Sequence, residues 1–222
     1  MVKAFILGGI LLLSSTLLEA QNVMSLQDPV STKNFNSEKY SGIRGTPFLM
    51  DKWIKGTVTT PVGVYQNLEL KLNVYDNIIV YNKQDEPFEL TDKIINFTLM
   101  VKESDPSTWL VFRKDLTGTD LSKNQYVQVL YEGKVSLYKQ PTKQLAEISE
   151  INAGIVKTFS SNSKYYLLIN NVAQFVRLNK TELLDALKDK KDQLQLFVAD
   201  KKLSFKKETD AIDLLKYYNT LQ

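Results

Sequence analysis

Histidine and cysteine are both absent from this 222-residue chain, so its carboxylates are the side chains best suited by type to do chemistry. Ser-His-Asp and Cys-His nucleophile systems, Cys/His zinc sites and imidazole proton shuttles have no residues to be built from. Carboxylate acid–base chemistry, Ser-Lys chemistry and an all-oxygen site for a hard cation remain. Three acidic groupings stand out: Asp85-Glu86 with Glu89, Asp115 with Asp120, and Glu147 with Glu150. A glycosidase needs two carboxylates flanking one bond, at about 5 or about 6.5–9.5 Å. Spacing along the chain does not set that distance, and each grouping lies in an expected loop or on a solvated face. The stretch "DLTGTDLSKN" (Asp115–Asn124) collects oxygen ligands around Gly118, but Thr117 and Thr119 stand where a calcium loop needs carboxylates or amides. It reads as a turn. No catalytic residue, no metal ligand and no cofactor is assigned.

Aromatic side chains are the second candidate set. Tyr65, Tyr75, Tyr131 and Tyr138 fall on expected strands and are the candidate ligand contacts, alongside Tyr81, Tyr165, Tyr166, Trp53 and Trp109. On an exposed sheet face such rings stack on sugars or grip a peptide. The competing reading is structural, because Tyr and Trp are favoured strand residues that pair across a sheet. The run Lys188–Lys207 is rich in lysine, but Asp185, Asp189, Asp192, Asp200 and Glu208 offset it, as on a solvated helix face. With 28 basic and 25 acidic residues the net charge is +3, too balanced to point to nucleic acid or an anionic membrane. A glycan, a peptide or an envelope protein is the expected partner.

The elements that must position these groups are mostly strands. Leu68, Leu70, Leu72 and Val74 alternate with Glu69, Lys71 and Asn73, the period of a half-buried strand. Strands are expected at Lys55–Thr60, Val64–Tyr75, Ile78–Asn82, Lys93–Val101 and Thr108–Lys114. Asp76-Asn77 reads as a two-residue turn pairing Val74 with Ile79. Gln125–Gln140 reads as a hairpin turning at Glu132-Gly133, and Lys164–Asn179 as another turning at Asn170-Asn171. Both faces of the Gln125–Gln140 hairpin are apolar, so something must cover the face bearing Val127, Val129, Tyr131 and Tyr138. Pro141–Lys164 is weakly patterned and reads as a long loop with a short helix near Lys143–Glu150.

Beyond Asn179 the period becomes helical, through Leu183, Leu184, Leu187, Leu194, Phe197, Val198, Ile212, Leu215 and Tyr218. Asn179 or Thr181 is the expected first cap and Thr209 the last. The simplest use of these helices is to cover the second face of the hairpin. The expected fold is α+β: a mainly antiparallel sheet, sandwich or half-barrel-like, covered by C-terminal helices.

The first twenty residues read as a signal peptide. Lys3 supplies the positive start, Ala4–Leu13 is an apolar core too short to span a bilayer, and Ala20 precedes the expected cut. Leu18 is a poor residue three places before a cut. No cysteine is available for a lipid anchor. The expected organisation is a signal peptide over 1–20, a mobile leader over 21–44, a β-domain over 45–179 and packed helices over 180–222. The product is expected to be exported, periplasmic or extracellular, with no membrane span once the signal is removed.

Three sequence blocks carry a resemblance: "GTPFLMDKWIKGTV" with "NVYDNIIVYN", the "EGKVSL" hairpin, and the terminal "KKETDAIDLLKYYN". They resemble a family of secreted Bacteroidetes proteins over about Gly45 to Leu221. The resemblance implies an exported bacterial protein folded as one unit, and it implies no activity and no site residue. The expectation is therefore a non-catalytic exported envelope protein that binds. The alternatives are a carboxylate-dependent envelope hydrolase of glycosidase type and a purely structural or oligomer-forming module.

Overall fold

In the computed structural model the described residues are 25–26, 29, 32–118, 121–151 and 154–221. The expected signal peptide lies outside them. Twelve strands form one sheet: β1 (Ser25–Leu26), β2 (Thr32–Asn34), β3 (Ile54–Thr60), β4 (Gly63–Asn73), β5 (Ile78–Lys83), β6 (Glu86–Leu90), β7 (Asn96–Met100), β8 (Trp109–Arg113), β9 (Val127–Tyr131), β10 (Ser136–Glu150), β11 (Gly154–Ile169) and β12 (Val172–Val176). Their order is β12-β11-β10-β9-β8-β7-β3-β4-β5-β6-β2, and every pair along it is antiparallel, with β1 added parallel to β4. Three helices follow, α1 (Lys180–Ala186), α2 (Lys191–Asp200) and α3 (Glu208–Thr220). The fold is α+β, an antiparallel sheet with short C-terminal helices. No helix among the described residues is long and apolar enough to cross a membrane.

Alternation explains the first half of the sheet. In β3, Ile54, Val58 and Thr60 are buried between less buried neighbours. In β4 the phase changes, with Tyr65 inward and then Leu68, Leu70 and Leu72 inward. Asn67, at φ 56°, and a register shift against Gly56–Val58 absorb the extra residue. This is a β-bulge, and it lets two stretches of opposite parity feed one core. Gly56 faces β7 so closely that a Cβ there would lie 2.2 Å from the Thr98 carbonyl oxygen. These side chains pack with Phe97 and Phe112, whose rings stack at 4.8 Å.

The two faces of β9–β12 have different covers. Leu137 and Leu167, directly opposite each other, pack under the helices with Val135, Leu183, Leu187, Leu214 and Leu215. Tyr138 and Tyr166, the next pair, face the other way and are covered by Leu116 and Leu121 of the loop before β9. Gly118 brings that loop against β12; a Cβ on it would sit 2.1 Å from the Ala173 oxygen. The stretch read as a turn thus covers a core through Leu116 and Leu121.

Several expectations are corrected. The β9–β10 connection is longer than a two-residue turn, with a register shift between Leu137 and Tyr138 that sets Leu137 opposite Tyr131 and Tyr138 opposite Val129. Tyr131 and Leu130 therefore join the helix-covered core, while the face with Val127, Val129 and Tyr138 takes the loop. Likewise Ile79 pairs Leu72, not Val74, because the β4–β5 turn takes four residues. Asn170-Asn171 does form a two-residue turn, with both φ angles positive. Asn179 caps α1, accepting from the Glu182 N–H at 2.9 Å, whereas Thr209 lies inside α3. Within the stretch expected as a mobile leader, Thr32–Asn34 pairs with β6.

The largest difference lies at Pro141–Lys164. Instead of a loop with a helix, β10 and β11 run on as one long hairpin, paired from Ser136–Leu168 out to Glu150–Gly154. Gly154, the partner of Glu150 in the last pair, has φ 69°, in the left-handed region that favours glycine.

Candidate functional site

The outer half of the β10–β11 hairpin is an arm that leaves the body of the sheet. It is held at one place by the chain leading into β3. Arg44 donates its N–H to the Lys157 oxygen at 2.9 Å, and the Phe159 N–H donates to the Arg44 oxygen at 3.0 Å. Five residues on, the same segment pairs with β4, where the Leu49 N–H donates to the Leu72 oxygen at 2.8 Å. The sheet path therefore returns from β11 onto the strand line of β3 and β4.

Side chains strengthen this latch. The Phe159 ring lies 5.3 Å from Tyr75 and 6.0 Å from Tyr40, both edge-on. Lys143 donates from Nζ to the Thr46 carbonyl oxygen at 2.5 Å. Beneath the rings, Asp76 Oδ2 accepts from Lys39 Nζ at 2.6 Å, from the Tyr40 hydroxyl, and from Asn73 Nδ2 at 3.3 Å. Burial works to raise the Asp76 pKa, but the hydrogen bonds from Lys39 and Tyr40 and the Lys39 charge outweigh it and hold the carboxyl below its usual range. Burial and the Asp76 carboxylate together push the Tyr40 hydroxyl upward.

Beyond the latch each face of the arm, and its end, carries an exposed aliphatic side chain among polar ones. Ile148 lies opposite Val156 on one face, and Ile155 lies opposite Ser149 on the other. Ile148 is 48% exposed and Ile155 71%, and Ile151 at the end is fully exposed. Leu145 is exposed nearer the latch, opposite Phe159. The guanidinium of Arg44 grips the Glu150 carboxylate with two bonds, one of them 3.0 Å from Nη2 to Oε2. A two-stranded ribbon in water ordinarily presents polar side chains on a face it does not bury. This one concentrates aliphatic side chains at its tip.

The four tyrosines singled out from the sequence do not form a site. Tyr65 is buried in the β3–β8 core and donates its hydroxyl to Asp92 at 3.3 Å. Tyr138 is buried under the loop before β9 and donates to Glu132 at 3.4 Å. Tyr131 is half-buried against the helices, where its hydroxyl accepts from Asn219 at 3.3 Å. Only Tyr75, 40% exposed, reaches the surface, and there it belongs to the latch. Strand tyrosines here are core and junction residues. The bulge at Asn67 decides which way Tyr65 faces, and the extra residue of β9 at Leu130 decides it for Tyr131.

Two of the three acidic groupings are likewise dispersed. Glu147 and Glu150, three apart on one strand, point to opposite faces of the arm, and Glu150 is taken by Arg44. Glu86 and Glu89 are split across β6 in the same way, and Glu89 pairs with Lys33 at 3.1 Å. Asp120 lies outside the described residues. Among the described residues, no three Asp or Glu side chains gather as a metal site would need.

One other concavity is notable. A groove of about 520 Å³ runs between α2 and α3, floored by the stacked rings of Phe197 and Tyr217, 4.2 Å apart. Its rim charges are taken up locally, Lys201 by Asp200 and Lys216 by Asp213.

The arm residues were missed in sequence because Leu145, Ile148 and Ile151 recur every third residue, which imitates a helix. A usable signal was Gly154 between Ile151 and Ile155, a residue type suited to the left-handed position it takes. No family model, curated protein or solved structure matches the chain, so its own geometry carries the functional reading.

Proposed function

We propose that this chain is a non-catalytic exported envelope protein that works as an interaction module, with the β10–β11 arm as the contacting element. The single observation that carries the reading is the tip of that arm: Ile148, Ile151 and Ile155 stand exposed on both faces and at the end of a ribbon clamped at its base. Exposed aliphatic groups gathered on one protrusion mark a surface that is covered in use. The expected signal peptide and the resemblance to secreted Bacteroidetes proteins support export and an envelope setting. The dispersal of the carboxylates gives no support to the hydrolase alternative.

The test is retention on isolated cell envelopes of the source organism. Wild-type protein and an Ile148→Ser/Ile151→Ser/Ile155→Ser variant with unchanged melting temperature are compared. The variant is expected to lose retention. Equal retention of both would overturn the assignment of the arm.

A further inference from the structure

We infer that the arm tip inserts shallowly into a lipid surface, seating Ile148, Ile151, Ile155 and Val156 at the boundary between headgroups and acyl chains. The inference rests on the reading of the arm as the contacting element, and it names what the arm contacts.

Three features favour a lipid layer. The first is the distribution of the aliphatic groups. A flat docking surface covers one face of a two-stranded ribbon, whereas here one face offers Ile148 and Val156, the other Ile155, and the end Ile151. A fluid layer surrounds such a tip without needing a matching shape.

Depth is the second. Ile148 and Ile151 are three positions apart, about 10 Å at about 3.3 Å per residue. Elements that lie in the membrane interface reach about 5–10 Å below its surface. Deeper insertion is disfavoured because an open ribbon carries backbone N–H and C=O groups on its outer edges that hydrocarbon cannot satisfy. At the boundary, water still reaches them.

The third feature is the handling of charge. Glu150 is the one carboxylate among the tip aliphatics, and Arg44, reaching from the latch, pairs with it through both oxygens. That pairing neutralises a group which would otherwise resist transfer out of water. One step below Ile148, Glu147 and Lys157 stand opposite each other, and Lys143 follows at the latch. The collar thus mixes both signs, suited to headgroup level, and its two lysines fall short of the polybasic cluster that anionic lipid selects. Association driven by aliphatic area needs no anionic lipid and changes little with salt.

The experiment uses the full chain and phosphatidylcholine vesicles, read by flotation and by fluorescence of an Ile151→Trp variant. Wild-type protein is expected to float with the vesicles at low and high salt alike. The emission of Ile151→Trp is expected to shift to the blue on adding vesicles and to be quenched by brominated acyl chains. The triple serine variant is expected to lose roughly tenfold or more in vesicle partitioning, given the area of three isoleucines. Flotation of that variant like wild type, or an Ile151→Trp emission that vesicles leave unchanged, overturns the inference. If vesicles fail to bind while tip-dependent retention on envelopes persists, the contact is with a protein: the lipid inference falls and the interaction reading stands. A disulfide-linked dimer formed through an Ile151→Cys variant would make that protein a second copy of this chain, and the lipid inference falls in the same way. If envelope retention also ignores the tip, both readings fall together.

Discussion

Asn219, near the end of α3, holds Val135 of the β9–β10 connection by both of its backbone groups. Its Oδ1 accepts from the Val135 N–H at 2.9 Å and its Nδ2 donates to the Val135 oxygen at 3.1 Å. One side-chain amide thus imitates a neighbouring strand, and joins two segments 84 residues apart. Gly133 makes room for it, since a Cβ there would lie 2.8 Å from Nδ2. Replacing Asn219 by Ala leaves a partly buried N–H and C=O without partners, at a cost of about 1–3 kcal/mol. Chemical denaturation should show that loss with an unchanged denaturant slope.

The helices should prove inseparable from the sheet. Leu215 of α3 is fully buried in the core that also holds Leu137 and Leu167. Leu215→Ala is expected to destabilise by about 2–5 kcal/mol. A chain ending at Asn179 would expose that whole face of β10 and β11, and should not melt cooperatively at the temperature of the full protein. Calorimetry of the two forms decides the point.

Gly118→Ala should be costly although the residue sits in a surface loop. The new Cβ would press against the Ala173 oxygen and push Leu116 and Leu121 off Tyr138 and Tyr166. Forcing atoms into such a contact costs about 1–3 kcal/mol. The observable is a lower melting temperature together with greater solvent access to the two tyrosines.

Acid should loosen the latch. The Asp76 carboxyl is held below its usual pKa, so its contribution is fully present above the unfolded value of about 4 and is lost as pH falls through the lower folded value. Asp76→Asn removes this dependence. Stability of wild type relative to the variant should therefore be largest near neutrality and shrink below about pH 4. Parallel denaturation curves across that range test it.

Arg44→Ala should act on the arm and not on the body. The side chain bonds Glu150 at an exposed position, so the global melting temperature should change little. Amide exchange should quicken in Glu147–Glu150 and Gly154–Lys157 while the β3–β8 core keeps its protection. Vesicle partitioning should weaken as well, because Glu150 would then stand unpaired beside the aliphatic tip.

Local signals were legible in the sequence. The alternation of Leu68, Leu70 and Leu72, the Asn170-Asn171 turn, the Asn179 cap and the leucine period beyond it each depend on residues within a few positions of one another. They determined the strand-then-helix order and the α+β class. The absence of His and Cys likewise bounded the chemistry without any structure. What the tertiary structure decided was facing and reach. Tyr65 turns inward and Tyr131 toward the helices because bulges at Asn67 in β4 and at Leu130 in β9 reset the parity of those strands, whereas Tyr138 is buried because the loop of Leu116 and Leu121 covers its face. The arm was hidden because Leu145, Ile148 and Ile151 keep a helical spacing; the strand is fixed by pairing across its own hairpin, and its attachment to the body comes from Arg44, more than a hundred residues away. No local pattern records a partner at that distance.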